Sequence, residues 1–340
     1  MLTVLDRLPP GLLEAAAGDL HRVLPGPTLI HLGGRREAPL FVSVLLHGNE
    51  NTGLAAMQAV LTRHAGRTLP RALSLFIGNV EAARRNLRRL ENQADFNRVW
   101  PSGTALDPTA PGPEHAMARE VLAQMRARRV FASIDIHNNT GLNPHYACVR
   151  NLAPAFLHLA TLFSRVVVHF ETPLGTQTGA FAPLCPAVTL ECGKPGNSSG
   201  AAHAAEFVDA ALHLDHFPAH RVAAQDIDLY RTVGVVRVRE GVSFAFGTHD
   251  AQLSFVADLD HLNFRDLAPG MRLARVADAR VLPLQVLDDG GHDVTGDYFA
   301  VHEGELMVMR PSMAAMLTTD PRVIRQDCLC YLMERTAIPE

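Results

Sequence analysis

Four short polar clusters in the 340-residue chain each follow an apolar run: His47-Gly48-Asn49-Glu50, Gly78-Asn79, Asp135-Ile136-His137-Asn138-Asn139 and Glu191-Cys192-Gly193. Imidazole nitrogens and carboxylate oxygens are the donors of catalytic zinc sites, where three protein ligands leave one position open. His47 and Glu50, spaced H-x-x-E, can reach one ion if the loop turns tightly, and Gly48 permits such a turn. His137, from a neighbouring strand, would complete a His₂Glu set. The spacing alone does not decide the matter. A second copy, His203 to Glu206, falls in helical periodicity and reads as a partly exposed helix face. Glu191 suits a general base standing beside a metal, one that takes a proton from water and returns it to a leaving amine. A strand-end Glu in a surface turn fits its position equally well.

Arginine supplies a second kind of chemistry. Arg84, Arg85, Arg88 and Arg89 precede Asp95-Phe96-Asn97-Arg98. Such a run is usually a solvated helix face. Its planar fork can also clamp a substrate carboxylate or a developing oxyanion.

These residues need a scaffold. Leu40 to Leu46 is an almost unbroken apolar run, as in a strand buried on both faces, after a polar turn at 33–36. Residues 73–77, 130–136, 166–168 and 187–190 are further strands. Helical spacing covers 54–63, 114–128 and 201–214, and 1–37 reads as a short helical lead-in. Strands alternating with helices imply an α/β fold with a mixed, mostly parallel sheet flanked by helices. In such sheets ligands bind beyond the carboxyl ends of the strands, which is where the four clusters fall. From about residue 221 the pattern changes to short alternating strands broken by Gly, Pro and Asp. Two domains are expected: 1–218, carrying the site, and a smaller β-rich domain at 221–340.

Composition narrows the function. The chain is 47% hydrophobic and 19% charged, which is globular. With 31 basic against 35 acidic residues, its net charge of −4 leaves no surplus for a nucleic-acid partner. No apolar run approaches a membrane span, and no secretory signal is visible at the N-terminus. Five scattered cysteines fit a reducing cytoplasm better than a disulfide framework. A homo-oligomer is compatible with everything above.

Taken in order, the motifs resemble the succinylglutamate desuccinylase/aspartoacylase family of carboxypeptidase A-like zinc hydrolases, over about residues 38–215. The resemblance implies one Zn²⁺ per chain held by His47, Glu50 and His137, with Glu191 as base and acid. It implies Asn97 and Arg98 as holders of a substrate carboxylate, and Arg89 as polariser of the scissile carbonyl, with Arg88 or Arg85 as alternatives. Tyr298 sits where the family's C-terminal domain lends a tyrosine, or is an ordinary strand residue. The implied substrate is a small N-acyl amino acid cleaved at a carbon–nitrogen bond other than a peptide bond. A zinc carboxypeptidase acting on short peptides is the rival, and a non-catalytic zinc-binding protein a more distant one. The family's extra pocket arginine has no counterpart between Gly175 and Pro186. The pocket should therefore accept one carboxylate only, unless another arginine such as Arg150 or Arg165 folds in.

Overall fold

Apolar residues on both faces of β3 (Gly34–Val44) place that strand inside a sheet rather than at its surface. The computed structural model describes residues 1–101, 111–248, 250–278, 280 and 282–338. Within them the chain divides into two units. One comprises Met1–Asn138, His145–Leu229 and the C-terminal tail from Ala337; the other comprises Asn139–Pro144 and Tyr230–Thr336. The division thus falls at 229/230, and the short segment after Asn138 groups with the second unit.

In the first unit, β1 (Thr3–Leu5), β2 (Thr28–Leu32), β3, β4 (Leu69–Ile77), β5 (Ala132–His137), β6 (Tyr146–Val149), β7 (Val166–His169) and β8 (Ala187–Glu191) form one sheet. Their order is β1-β2-β4-β3-β5-β8-β6-β7. The central pairs β4–β3, β3–β5 and β5–β8 are parallel, whereas β2–β4 and β6–β8 are antiparallel. The helices are α1 (Thr52–Arg63), α2 (Val80–Arg84), α3 (Pro113–Ala127), α4 (Pro154–Phe163), α5 (Gln177–Phe181) and α6 (Ser198–His213).

The period-2 alternation of strands sorts side chains between the two faces. Val42, Val44, Ile134, Ile136, Val188 and Leu190 enter a core that includes α1, α4 and α6. Phe41 enters a second core with Trp100, Phe181, Met117 and Val121. Its ring stacks on Phe181 at 4.5 Å between centroids. Ser43, Asp135, His137, Thr189 and Glu191 share the Phe41 face by register. That face becomes polar toward the carboxyl ends of the strands.

The sequence reading differs from the structure at the start of the chain. The lead-in holds two strands and a short 3₁₀ turn (Ala17–Arg22), and of the turn expected at 33–36 all but Gly33 belongs to β3. Residues 34–38 alternate between half-buried and exposed, an edge-like pattern masked by their polarity. At its other end β3 stops at Val44, because Leu45 takes a left-handed backbone (φ 54°).

The second unit has two sheets. One contains β9 (Asp228–Val238), β12 (Asp266–Leu267), β14 (Leu284–Leu287), β17 (Ser312–Ala315) and β18 (Cys330–Arg335). The other runs β10 (Phe244–Phe246), β11 (Leu253–Phe255), β13 (Arg272–Val276), β16 (Glu305–Val308) and β15 (Phe299–His302). The 139–144 segment is held inside this unit. Asn143 Oδ1 accepts the Met316 N–H at 2.9 Å, and Asn143 Nδ2 donates to Asn139 Oδ1 at 2.9 Å. At Gly141 a Cβ would fall 1.9 Å from the Leu317 carbonyl oxygen, so only glycine fits.

Helix α1 is pressed onto the sheet beside the His47–Glu50 loop. A Cβ at Gly53 would lie 2.9 Å from Val44 Cγ1 and 3.0 Å from Ile136 Cβ. Gly53→Ala should therefore destabilise the protein by about 1–3 kcal/mol, as overpacked cores do. A lower urea midpoint at unchanged m-value is the expected reading. A midpoint at or above wild type would show that α1 can move outward freely.

Candidate active site

Three parallel strands end side by side at one edge of the sheet. His47 follows β3, while His137 and Glu191 are the last residues of β5 and β8 and lie opposite one another in register. The left-handed Leu45 swings the chain off β3, and its carbonyl accepts the Asn79 N–H at 2.6 Å. Gly48 then passes against α2, where a Cβ would fall 2.2 Å from Ala83 N. Gly48 is needed for this close approach, since its φ is not positive. Its N–H donates to the Arg88 carbonyl at 3.1 Å, which ties the loop to the arginine-rich segment.

His47, Glu50 and His137 converge, with one ligand atom from each lying within 4.8 Å of the others. Glu50 is at the centre. Its Oε1 lies 2.8 Å from His47 Nδ1, and its Oε2 lies 2.8 Å from His137 Nδ1 and accepts the Asn138 N–H at 3.0 Å. All three side chains are buried. Each imidazole turns its other nitrogen to a second carboxylate: His47 Nε2 to Asp95 Oδ1 at 3.0 Å, and His137 Nε2 to Asp135 Oδ2 at 2.7 Å. Ser43 Oγ donates to the far oxygen of Asp135 at 2.7 Å. Carboxylates bonded to the second ring nitrogen fix tautomer and orientation in metal-binding histidines.

Charge compensation explains the titration behaviour. Burial disfavours the Glu50 carboxylate, but His47 and His137 outweigh it and hold its pKa well below the usual carboxylate range. Burial and then Arg88 push His47 down, yet Glu50 and Asp95 prevail and its pKa is raised. His137 is raised further: burial opposes the shift, while Asp135 and then Glu50 drive it. Arg88 and Arg98 only partly offset the carboxylates of Glu50, Asp95 and Asp135. Imidazolium protons or a divalent cation would complete the compensation. The donor set fits a metal of the zinc type, with nitrogen and carboxylate oxygen around a buried point.

Of the four arginines, Arg88 faces the cluster. Its Nη2 donates to Asp95 Oδ2 at 3.1 Å, and its Nη1 lies 3.8 Å from Glu50 Oε1. Arg89, the residue expected to polarise a carbonyl, donates instead to the backbone carbonyl of Gln93 at 2.9 Å. Helix α2 ends at Arg84, and Asn86 reverses the chain through a left-handed φ of 52°. The run is therefore not one helical face. Arg84 and Arg85 stay exposed beside Glu81.

Asn97 joins the cluster to α5. Its Nδ2 lies 3.2 Å from His137 Nε2, and its Oδ1 accepts the Gln177 N–H at 2.8 Å. Arg98 Nη1 donates to the Asn97 carbonyl at 2.8 Å. Glu191 is buried, and its charge, after burial itself, raises the Cys148 and Cys192 thiols. Tyr298, at the end of a short helix (Thr295–Tyr298), lies in the core of the second unit, with the Arg310 guanidinium 5.4 Å over its ring. His203 sits against His145 at 2.9 Å and stacks on Phe163, while Glu206 is exposed, as expected for a helix face. The sequence reading assigned no role to Asp95 or Asp135. For Asp135 a signal existed: two residues before His137 on a strand places it on the same face.

Fold and cluster together define a helix-flanked α/β protein with a His₂Glu group at the carboxyl edge of its sheet. The model of the succinylglutamate desuccinylase/aspartoacylase catalytic domain matches residues 39–217, more than half of the chain, and the protein belongs to this family of hydrolases. Among solved structures it is similar to the succinylglutamate desuccinylase from Chromobacterium violaceum, with a TM-score of 0.56 and 17% identity over 90% of this chain and 87% of that one. It is similar to a succinylglutamate desuccinylase/aspartoacylase from Rhodobacter sphaeroides, with a TM-score of 0.57 and 14% identity over 90% and 88%. Murine aminoacylase 3 gives a TM-score of 0.54 and 16% identity over 89% and 96%. At these identities the likeness establishes the fold. A comparison with curated proteins finds no match.

The raised histidines give a prediction. The surrounding carboxylates favour the protonated forms of His47 and His137, and an incoming metal must displace any proton they hold. Zinc titration calorimetry at pH 7 should give a heat that varies with the ionisation enthalpy of the buffer, as protons are released. Apparent affinity should fall as the pH is lowered. A buffer-independent heat, or full zinc binding by both His47→Ala and His137→Ala, would remove the cluster as a metal site.

Proposed function

We infer that the protein is a zinc-dependent amidohydrolase that cleaves the carbon–nitrogen bond of a small N-acyl amino acid. The observation that carries this reading is the convergence of His47, Glu50 and His137, with Glu191 ending the adjacent strand and Arg88 at the rim of the cluster. His47, Glu50 and His137 would hold one zinc per chain. The ion would supply Lewis acidity at the scissile carbonyl and acidify water at neutral pH.

The residues divide the rest of the work. Asn97 and Arg98 bind the substrate carboxylate, Arg98 through a guanidinium fork that matches it. Arg88 takes the carbonyl-polarising role in place of Arg89, because its guanidinium is the one directed at the cluster. Glu191 removes a proton from the attacking water as the new carbon–oxygen bond forms. It delivers that proton to the nitrogen as the carbon–nitrogen bond breaks, releasing a carboxylic acid and a free amino acid. Asp95 and Asp135 hold the two imidazoles in place.

The setting supports a small-molecule substrate. No described helix is long and apolar enough to cross a membrane. All five cysteines are free and buried, which suits a reducing compartment, and we place the enzyme in the cytoplasm.

The reading is tested by screening N-acyl amino acids and short peptides against the zinc-loaded protein. Hydrolysis of the acyl compounds, with kcat lowered about 10²–10⁴-fold in Glu191→Gln at unchanged zinc content, is the expected result. Turnover confined to peptides with a free C-terminal carboxylate would make the protein a carboxypeptidase. A fully active Glu191→Gln would require another base.

A further inference from the structure

A cavity of about 540 Å³ opens where β1 forms the outer edge of the first unit's sheet. Small-molecule sites commonly have volumes of this order. In the strand order, β1 lies three strands from β3, or ~14 Å at the usual spacing. His31, on one wall, is opposite Ser74 in register, and Ser74 is opposite Phe41, well before the His47 loop. The cavity is therefore separate from the His47, Glu50 and His137 cluster.

The lining sorts into a charged part and an apolar part. Arg7, Arg128 and Asp6 are exposed, and among the described residues no side-chain hydrogen bond or ion pair engages any of them. His31 is occupied within the protein: its Nδ1 lies 2.9 Å from Ser74 Oγ and its Nε2 lies 3.0 Å from Gln124 Oε1. Burial lowers its pKa, opposed by the Gln124 bond and aided by the Arg128 charge, so the ring is mainly neutral at pH 7. The cavity is thus left with one net positive charge. Val4, Leu5, Pro9 and Pro10 supply the apolar part. Val4 is 41% exposed, which leaves hydrocarbon facing water. The prolines fix their own φ, and Leu12 N–H donates to the Pro9 carbonyl at 3.2 Å, so this wall is formed in advance. A preformed wall lowers the ordering cost of binding.

We propose that this cavity is a second binding site of the protein, which takes a monocarboxylate with an apolar body. The carboxylate is gripped by Arg7 and Arg128, and the hydrocarbon covers Val4, Leu5 and the two prolines. A guanidinium fork matches a carboxylate in shape. One net positive charge also matches its single negative charge. A phosphate monoester, at about −1.5 to −2 near pH 7, would bring a surplus that Asp6 repels. The site is independent of the amidohydrolase reading, because none of its residues belongs to the proposed catalytic machinery.

Titration calorimetry of the zinc-loaded full chain provides the test, with three probes: hydrocinnamate, hydrocinnamyl alcohol and acetate. The first carries both charge and apolar body, and each of the others carries only one of them. Saturable binding of hydrocinnamate is expected, with the alcohol and acetate much weaker. Arg7→Gln and Arg128→Gln should each weaken hydrocinnamate by about three- to fivefold, the scale of an exposed charge contact, and the double variant should weaken it further. Asp6→Asn should tighten it, which a general loss of structure would not do. All three side chains are exposed, so the melting temperatures of the unliganded variants should stay near wild type. Added salt should weaken hydrocinnamate and leave the alcohol unchanged. Undiminished binding in the double variant places the compound elsewhere, the zinc site included, and overturns the proposal. Equal binding of the alcohol, or no saturable heat with hydrocinnamate at millimolar concentration, also overturns it.

Discussion

The structure around the site depends on one buried carboxylate. Glu50 lies inside the protein between two imidazoles, with the Asn138 N–H on one oxygen and Arg88 near the other. Leaving such a charge unpaired in the interior would cost several kcal/mol, so each neighbour must be in place at once. That requirement accounts for much of the local architecture. β3 and β5 must be adjacent and parallel, Leu45 must break β3, and Gly48 must let the loop lie on α2. The 79–98 segment must also fold back to bring Arg88 and Asp95 to the same point.

The polar layer continues outward in ordered pairs. Asp95 and Asp135 accept from the outer nitrogens of the two histidines, Ser43 donates to Asp135, and Arg88 donates to Asp95. Half-satisfied buried networks are worse than apolar cores, whereas fully connected ones become rigid. Rigidity is useful where ligands must keep their geometry while a substrate comes and goes.

The two faces of the central sheet perform different tasks. One is uniformly apolar, packs against α1, α4 and α6, and supplies the stability. The other starts with packed aromatics, Phe41 stacked on Phe181 and Trp100 edge-on to it, and ends in serine, threonine, aspartate, histidine and glutamate. A strand carries both because successive side chains point in opposite directions. Stability and chemistry can therefore change independently along the same five or six residues.

Much of this was legible in the residues alone. Apolar runs ended by His47, His137 and Glu191 disclosed a mostly parallel sheet and the edge at which its chemistry lies, because buried strands and helices have distinct periodicities. The switch to short alternating strands after about residue 221 marked a β-rich region for the same reason. What sequence could not resolve was orientation. Arg88 and Arg89 are adjacent and chemically identical, and only the reversal at Asn86 decides which faces the carboxylates. Asn138, Asn139 and Asn143 read as one amide-rich stretch. In the folded chain Asn138 bonds Thr52 and the Gly193 carbonyl, while Asn139 and Asn143 serve the second unit. Local periodicity is set by neighbours in the chain, whereas the direction a charged side chain takes is set by which distant charges the fold places around it.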